Sequence, residues 1–186
     1  MLDIFSAFGL SASAGLNAYL PLLIVALTGR IFPKLLTLSE PYDALTSWWA
    51  IGVLFVLLVV EMLVDKIPAV DTINDVIGTV IRPAAGALLF AASTGAVSGI
   101  EPVLAIIAGL LVSGGVHVAK ATVRPVVTAT TAGVGNPVVS TVEDVIAFIT
   151  SVLAILLPIL VAIMLVMVVG LYVWWRVRRA ARARAS

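Results

Sequence analysis

The 186-residue sequence contains no cysteine and only one histidine, His117. Without cysteine there are no disulfides, thiol nucleophiles or cysteine metal sites. With a lone histidine as well, the usual zinc ligand sets cannot be assembled. Charge is also scarce: Asp, Glu, Lys and Arg make up 11% of the chain, against about 25% in a soluble domain. The net charge of +1 gives no electrostatic reason for a nucleic-acid partner. The start, "MLDIFSAF", has no Lys or Arg. A cleaved leader needs a basic first stretch, so Met1 is expected to stay in the mature chain despite the small residues "ASA" at 12–14.

What remains is 62% apolar with a mean hydropathy of +1.21. The reading is an all-α integral membrane protein of about five membrane-spanning segments, with two broken or re-entrant acidic helices. A transmembrane helix needs about 20 apolar residues, and the candidates are 4–29, 44–60, 83–100, 102–119 and 145–175. Gly9, Ser13 and Gly15 in the first of these are small residues at helix-packing spacing, and Asn17 and Pro21 can break it midway. Residues 31–47 read as an interfacial loop, and 120–136, rich in Thr and Gly, show no clean apolar face. Pro158 is expected to kink the last span. A single transmembrane domain, 1–175, then gives way to a basic tail, 176–186, with five arginines beside Trp174 and Trp175. By the positive-inside rule the C-terminus is cytoplasmic, in a multi-pass protein of a bacterial inner membrane. The tail's partners are then anionic lipid headgroups, with no nucleic acid.

One short stretch is written twice. "PAVDTINDVI" (68–77) and "PVVSTVEDVI" (137–146) share Pro, Val, Thr, Asp, Val and Ile in register. Pro68 and Pro137 each suit a first helical turn, where the missing N–H costs nothing, and Asn136 can cap the second copy. Asp71, Asn74 and Asp75 fall on one helical face of the first copy, and Ser140, Glu143 and Asp144 on that of the second. A fainter echo precedes each, "GLSASAG" (9–15) and "GLLVSGG" (109–115), after which Asn17 matches His117. The chain therefore reads as an internal repeat, about 4–97 and 101–175, expected to be inverted. Five plain spans would instead put both acidic echoes at one face. Repeats with interrupted helices are a recurring plan of transporters.

Ionisable groups inside a membrane mark pathways or binding sites. Asp71, Asp75 and Arg82 share one stripe, so an Asp–Arg pair is expected. His117, Lys120 and Arg124 form a basic stripe that Asp144 can face. Glu61, Asp65 and Lys66 close a span and can lie at the interface. Asp75 and Asp144 are expected to face each other across one shared polar site. The first functional reading is a transporter or channel for an ion or small solute, with a cation or proton-coupled species favoured and His117 as a relay. The second is a translocase or binder of an anionic lipid headgroup held by Arg82, Lys120 and Arg124. The third is a structural membrane protein without flux. No cofactor is called for, a metal is undetermined, and a homo-oligomer is compatible with these features. An enzyme is not expected: Ser113 near His117 lacks a nucleophile elbow.

The stretches "GLSASAGLNAYLPLL", "DKIPAVDTINDVIGTVIRPAAGALL" and "GGVHVAKATVRPVV…GNPVVSTVED" resemble a bacterial membrane family catalogued as a domain of unknown function, number 4126. The likeness implies a small multi-span protein and supplies no activity or site residues. "TVRPVVTATTAG" also resembles the re-entrant Arg-Pro segments of polyprenyl-phosphate carriers, which bears on the lipid reading.

Overall fold

The computed structural model describes residues 4–94 and 100–183, with residues 68–73 and several positions near the C-terminus described as backbone only. Every regular element among the described residues is helical: α1 (Ile4–Leu16), α2 (Tyr19–Ile31), a short 3-10 helix (Tyr42–Thr46), α3 (Trp48–Val64), α4 (Pro68–Thr94), α5 (Pro102–Thr131), α6 (Asn136–Leu156) and α7 (Pro158–Ala183). Asn74–Thr94, Pro102–Thr131 and Asn136–Leu156 are long and apolar enough to cross a membrane, while α3 and the apolar part of α7 are shorter. These helices suggest a membrane protein.

Local chemistry explains the boundaries. The Ser47 hydroxyl accepts the Ala50 N–H at 3.2 Å and starts α3. Residues 120–131, whose sequence shows no clean apolar face, are helical and continue α5. The hydroxyls of Thr128, Thr130 and Thr131 return to the carbonyls of Arg124, Val126 and Val127 within the helix, so they do not compete with its ladder. Helix α5 stops where Ala132 turns left-handed at φ 51°. The expected kink at Pro158 is a full interruption at Leu157 that separates α6 from α7. Proline lacks the N–H that would continue the ladder.

The contacts fix the directions of the helices. Ser13 meets Ser151 at 2.7 Å and Asn17 meets Asp144 at 2.9 Å, so α1 runs antiparallel to α6. Asn17, just before α2, lies on Asp144, and Ile24 and Thr28 further along line one pocket with Val152 and Ile155, so α2 runs parallel to α6. The two short helices therefore form a splayed hairpin with its tip at Asn17–Ala18. Both arms lead back to the bundle end that carries residues 32–47, where Tyr42 packs near Ala7 and Phe90. Each arm has 13 residues, about 20 Å at 1.5 Å per residue, short of a ~30 Å hydrocarbon core. The span expected over 4–29 thus folds back on itself.

Directions also settle the two acidic echoes. Each opens an uninterrupted helix, α4 or α6, so neither echo is itself broken; the re-entrant element is the α1–α2 hairpin. Helices α1 and α5 run the same way, as do α4 and α6, so the expected inverted relation does not hold. The extra pair α2 and α3 makes two opposite passes and leaves the orientation of α4 unchanged.

Small residues set the helix spacing. A Cβ on Gly109 would lie 2.5 Å from the Gly86 carbonyl, and one on Gly15 would lie 2.5 Å from the Ser113 carbonyl. Backbone approach of this kind replaces the hydrophobic drive that lipid cannot supply between helices. Ser11 donates to the Gly86 carbonyl at 2.6 Å and Ser113 to the Arg82 carbonyl at 2.7 Å. Gly9 and Ser13 are also buried, Ser13 against α6, where its hydroxyl donates to the Ala147 carbonyl at 2.8 Å.

Candidate functional site: a buried ion network at a helix break

Both ends of the α1–α2 break are held by side chains. The Asn17 side chain accepts the Leu20 N–H at 2.9 Å, and Pro21 needs no partner so early in α2. The Ala18 N–H donates to the Glu61 carboxylate at 3.2 Å. On the other side Lys120 Nζ donates to the Leu16 carbonyl at 3.0 Å. A carboxylate thus sits at a helix N-terminus and an ammonium at a helix C-terminus, the signs that the helix dipoles favour.

Around this tip lies a network of buried charge, with the Asp144–Lys66 pair beside it. Arg82 is fully buried. Its guanidinium meets Glu61 at 3.2 Å, Asp65 at 3.6 Å and Asp75 at 3.0 Å. Asp65 also receives Lys120 at 3.3 Å and Arg124 at 3.4 Å, as well as the Asn74 amide. Glu143 takes Lys120 at 3.1 Å and Arg124 at 2.7 Å. Asp144 accepts from Asn17 through Oδ1, and its Oδ2 lies 3.6 Å from Lys66. Unpaired, such groups cost roughly 2.5–3.5 kcal/mol each at a membrane helix centre; here each carboxylate faces a cation. Among the described residues of the network, five carboxylates face four cations, which leaves one negative charge in excess.

The one histidine is tied in as a neutral ring. Arg82 Nη1 lies 3.1 Å from His117 Nδ1. Arginine only donates, so Nδ1 accepts and the proton sits on Nε2. Nε2 then donates to the Thr79 hydroxyl at 3.1 Å, which donates onward to the Asp75 carbonyl at 3.0 Å. With both ring nitrogens engaged and the Ser113 proton committed to the Arg82 carbonyl, Ser113 and His117 do not form a nucleophile–base pair.

Asp144 Oδ2 and the hydroxyl of the fully buried Ser140 are buried inside the site without a hydrogen-bond partner among the described residues. They lie one turn apart on the inward face of α6. A groove of about 490 Å³ between α4 and α5 reaches the network at Asp75, Thr79, Arg124 and Thr128. No group of three His, Asp or Glu side chains among the described residues converges as a metal site.

Of the residues singled out in the sequence, Asn74, Asp75, Arg82, His117, Lys120, Arg124, Glu143 and Asp144 are brought into the network. The Asp–Arg pair expected on one stripe is present as Asp75–Arg82. Asn136 is instead bonded to Thr128 at the α5–α6 turn. Pro68 and Pro137 open or nearly open their helices. The side chains of Pro68 and Asp71 lie outside the described residues. The basic stripe faces Glu143, the neighbour of the expected Asp144. Asp75 and Asp144, expected to face each other across one site, are joined by no contact among the described residues: Asp75 pairs with Arg82, and Asp144 meets Asn17 and Lys66.

Glu61 and Asp65, read from sequence as a span end at the interface, are buried at the centre. Their signal was their four-residue spacing, which places both carboxylates on one face. Asn17, read as a packing or break position, is a hydrogen-bonding member of the site.

Residues 4–178 match the model of a family described as "Domain of unknown function (DUF4126)". Comparison with curated proteins and with solved structures finds no match.

Proposed function

The chain belongs to the DUF4126 family, and from its site we propose that it passes a small ion or solute through the polar centre beneath the α1–α2 tip. A proton or other cation is the favoured species. The observation that carries this reading is the buried network assembled at a helix break, with one more carboxylate than cations among the described residues. Broken backbone at membrane depth is tolerated where it is buried in protein or lines a polar cavity. Discontinuous helices that aim their ends at a polar centre are a transporter arrangement. The excess negative charge favours a positive species over an anion.

Matching contacts support a duplicated origin for the centre. Ser13 and Asn17 on α1 meet Ser151 and Asp144 on α6. At corresponding positions on α5, Ser113 and His117 meet Arg82 on α4. In this reading the repeats run parallel, related by an axis along the bundle. The protein lies in a bacterial inner membrane with its C-terminus in the cytoplasm, supported by five arginines after the Trp174–Trp175 anchor. Arg178 stacks on Trp174 at 4.2 Å, a fit for a headgroup layer.

A second reading, binding or translocation of an anionic lipid headgroup, is favoured by the α4–α5 groove that reaches Arg124. Flux through reconstituted vesicles separates the two. Passage of a cation predicts that Asp75→Asn and Asp144→Asn abolish flux in a protein that stays folded. Headgroup handling predicts that both keep activity and that Lys120 and Arg124 are the sensitive positions.

A further inference from the structure

The pairings in the network are uneven. Arg82, Lys120 and Arg124 are each more than nine-tenths buried and bridge several carboxylates. Lys66 differs: its side chain is 36% exposed, and it reaches Asp144 at 3.6 Å, outside hydrogen-bond range. Its ammonium donates instead to the Met62 carbonyl at 3.0 Å. Asp144 is therefore a buried carboxylate whose ion-pair partner, among the described residues, is a half-exposed lysine on the α3–α4 turn. Its Oδ2 and the Ser140 hydroxyl, one turn earlier on the same face, are both buried without a hydrogen-bond partner.

Resting on the passage reading above, we propose that Asp144 and Ser140 form an exchange site for a monovalent cation, in which Lys66 serves as a tethered stand-in. Charge carries the choice of ion. Lys66 contributes one positive charge to Asp144, so exchange with a monovalent species leaves the network's balance unchanged. A divalent ion would shift that balance by one charge, and it needs more oxygen ligands than one carboxylate and one hydroxyl supply. Reach carries the choice of residue. A lysine is a compact charge on a flexible four-carbon stem, and this one is already partly exposed on the α3–α4 turn. It can withdraw and return without unpacking a helix. The other cations cannot, since each bridges two or more elements from a buried position. Carboxylate and hydroxyl oxygens suit a hard cation, and Oδ2 is equally able to take a proton.

The test reads binding to the purified full-length chain, with NaCl, KCl or choline chloride as the probe and thermal unfolding as the signal. Choline is too large for the site and controls for ionic strength. A site held by its own lysine most of the time shows an affinity reduced by its free fraction. Lys66→Gln is therefore expected to lower the half-saturating concentration of sodium or potassium by about tenfold, whereas Lys66→Arg keeps the wild-type value. Ser140→Ala, a small change in a packed seam, weakens the response, and Asp144→Asn abolishes it. A proton as the occupant shows itself as stabilisation of Lys66→Gln by lower pH, lost in Asp144→Asn, with no effect of either salt. Equal responses of wild type, Lys66→Gln and Ser140→Ala to salt and to pH would overturn the proposal. Binding without flux in vesicles would refute passage and keep this site; flux with no effect of Lys66→Gln on binding would do the reverse.

Discussion

Lys120 Nζ donates to the carbonyl oxygen of Leu16 at 3.0 Å, so a side chain 104 residues away finishes the C-terminus of α1. The same ammonium meets Asp65 and Glu143. One residue thus closes the helix break and links α3, α5 and α6. Removing it takes one of their cations from two carboxylates, which keep Arg124, and removes the donor from the Leu16 carbonyl. Breaking a buried pair by deleting one partner costs about 3–5 kcal/mol. Lys120→Met is expected to lose that much stability in urea unfolding, and Lys120→Met with Glu143→Gln should recover part of it. Additive losses in the double variant would deny the pairing.

Arg82 sits between three carboxylates, and its replacement should be the most damaging single change. Arg82→Ala leaves Glu61, Asp65 and Asp75 without their shared cation. Neutralising Asp75 alone should then restore only a fraction of the stability, and neutralising Glu61 alone should do likewise, because the other acids remain. Full recovery from either single neutralisation would show that Arg82 serves one acid only. Unfolding midpoints of the single and double variants decide this.

Legibility in the sequence depends on how far each relationship reaches. The Asp75–Arg82 pair lies within one helix, where spacing alone puts both side chains on one face. The break at Asn17 was legible too, because a polar residue and a proline interrupt a small-residue helix. The burial of Glu61 and Asp65 was not, since they close an apolar run as interfacial residues do. What buries them is the α1–α2 tip, brought there by a fold-back that no local pattern encodes. The choice of Glu143 over Asp144 as partner of the basic stripe turns on helix rotation: neighbours point about 100° apart, and only packing fixes which one faces α5. The threonines of 120–131 blur the apolar face that would mark a span, yet their hydroxyls are satisfied on the carbonyls of their own helix.

Asn17 caps α2 and holds Asp144. Asn17→Ala loses both bonds, and loss of a cap costs about 0.5–2 kcal/mol. Asn17→Asp keeps the capping oxygen but sets a second carboxylate against Asp144. Adjacent carboxylates cannot both ionise at low cost. The Asp variant should therefore be close to wild type in acid and lose stability as pH rises. A pH-independent deficit would mean that the Asn17–Asp144 contact is absent.

The fold-back has a topological consequence that the absence of cysteine makes simple to measure. Residues 32–47 lie at the bundle end from which α1 departs, while α7 runs toward the opposite end. A single cysteine placed by Lys34→Cys should react with an impermeant thiol reagent from the side opposite a C-terminal reporter. Reaction from the same side as the reporter would contradict the α1–α2 hairpin.

At Gly86 and Gly109 the backbones of α4 and α5 touch, and no side chain fits. Overpacking a close-fitted interior typically costs about 1–3 kcal/mol. Gly109→Val should lower the yield and melting temperature of folded protein, whereas Gly52→Val, with open space around it, should leave both unchanged. Equal behaviour of the two variants would show that the α4–α5 approach is not this close.

Flux tests passage most directly. The purified chain is placed in vesicles under an imposed cation or pH gradient, beside protein-free vesicles and vesicles carrying Asp144→Asn. Passage predicts that the gradient collapses faster with wild type than in empty vesicles, with a rate that changes with pH, and that Asp144→Asn returns it to the empty-vesicle rate. A wild-type rate equal to that of empty vesicles at every pH and for every cation tried, from folded and correctly inserted protein, would contradict it.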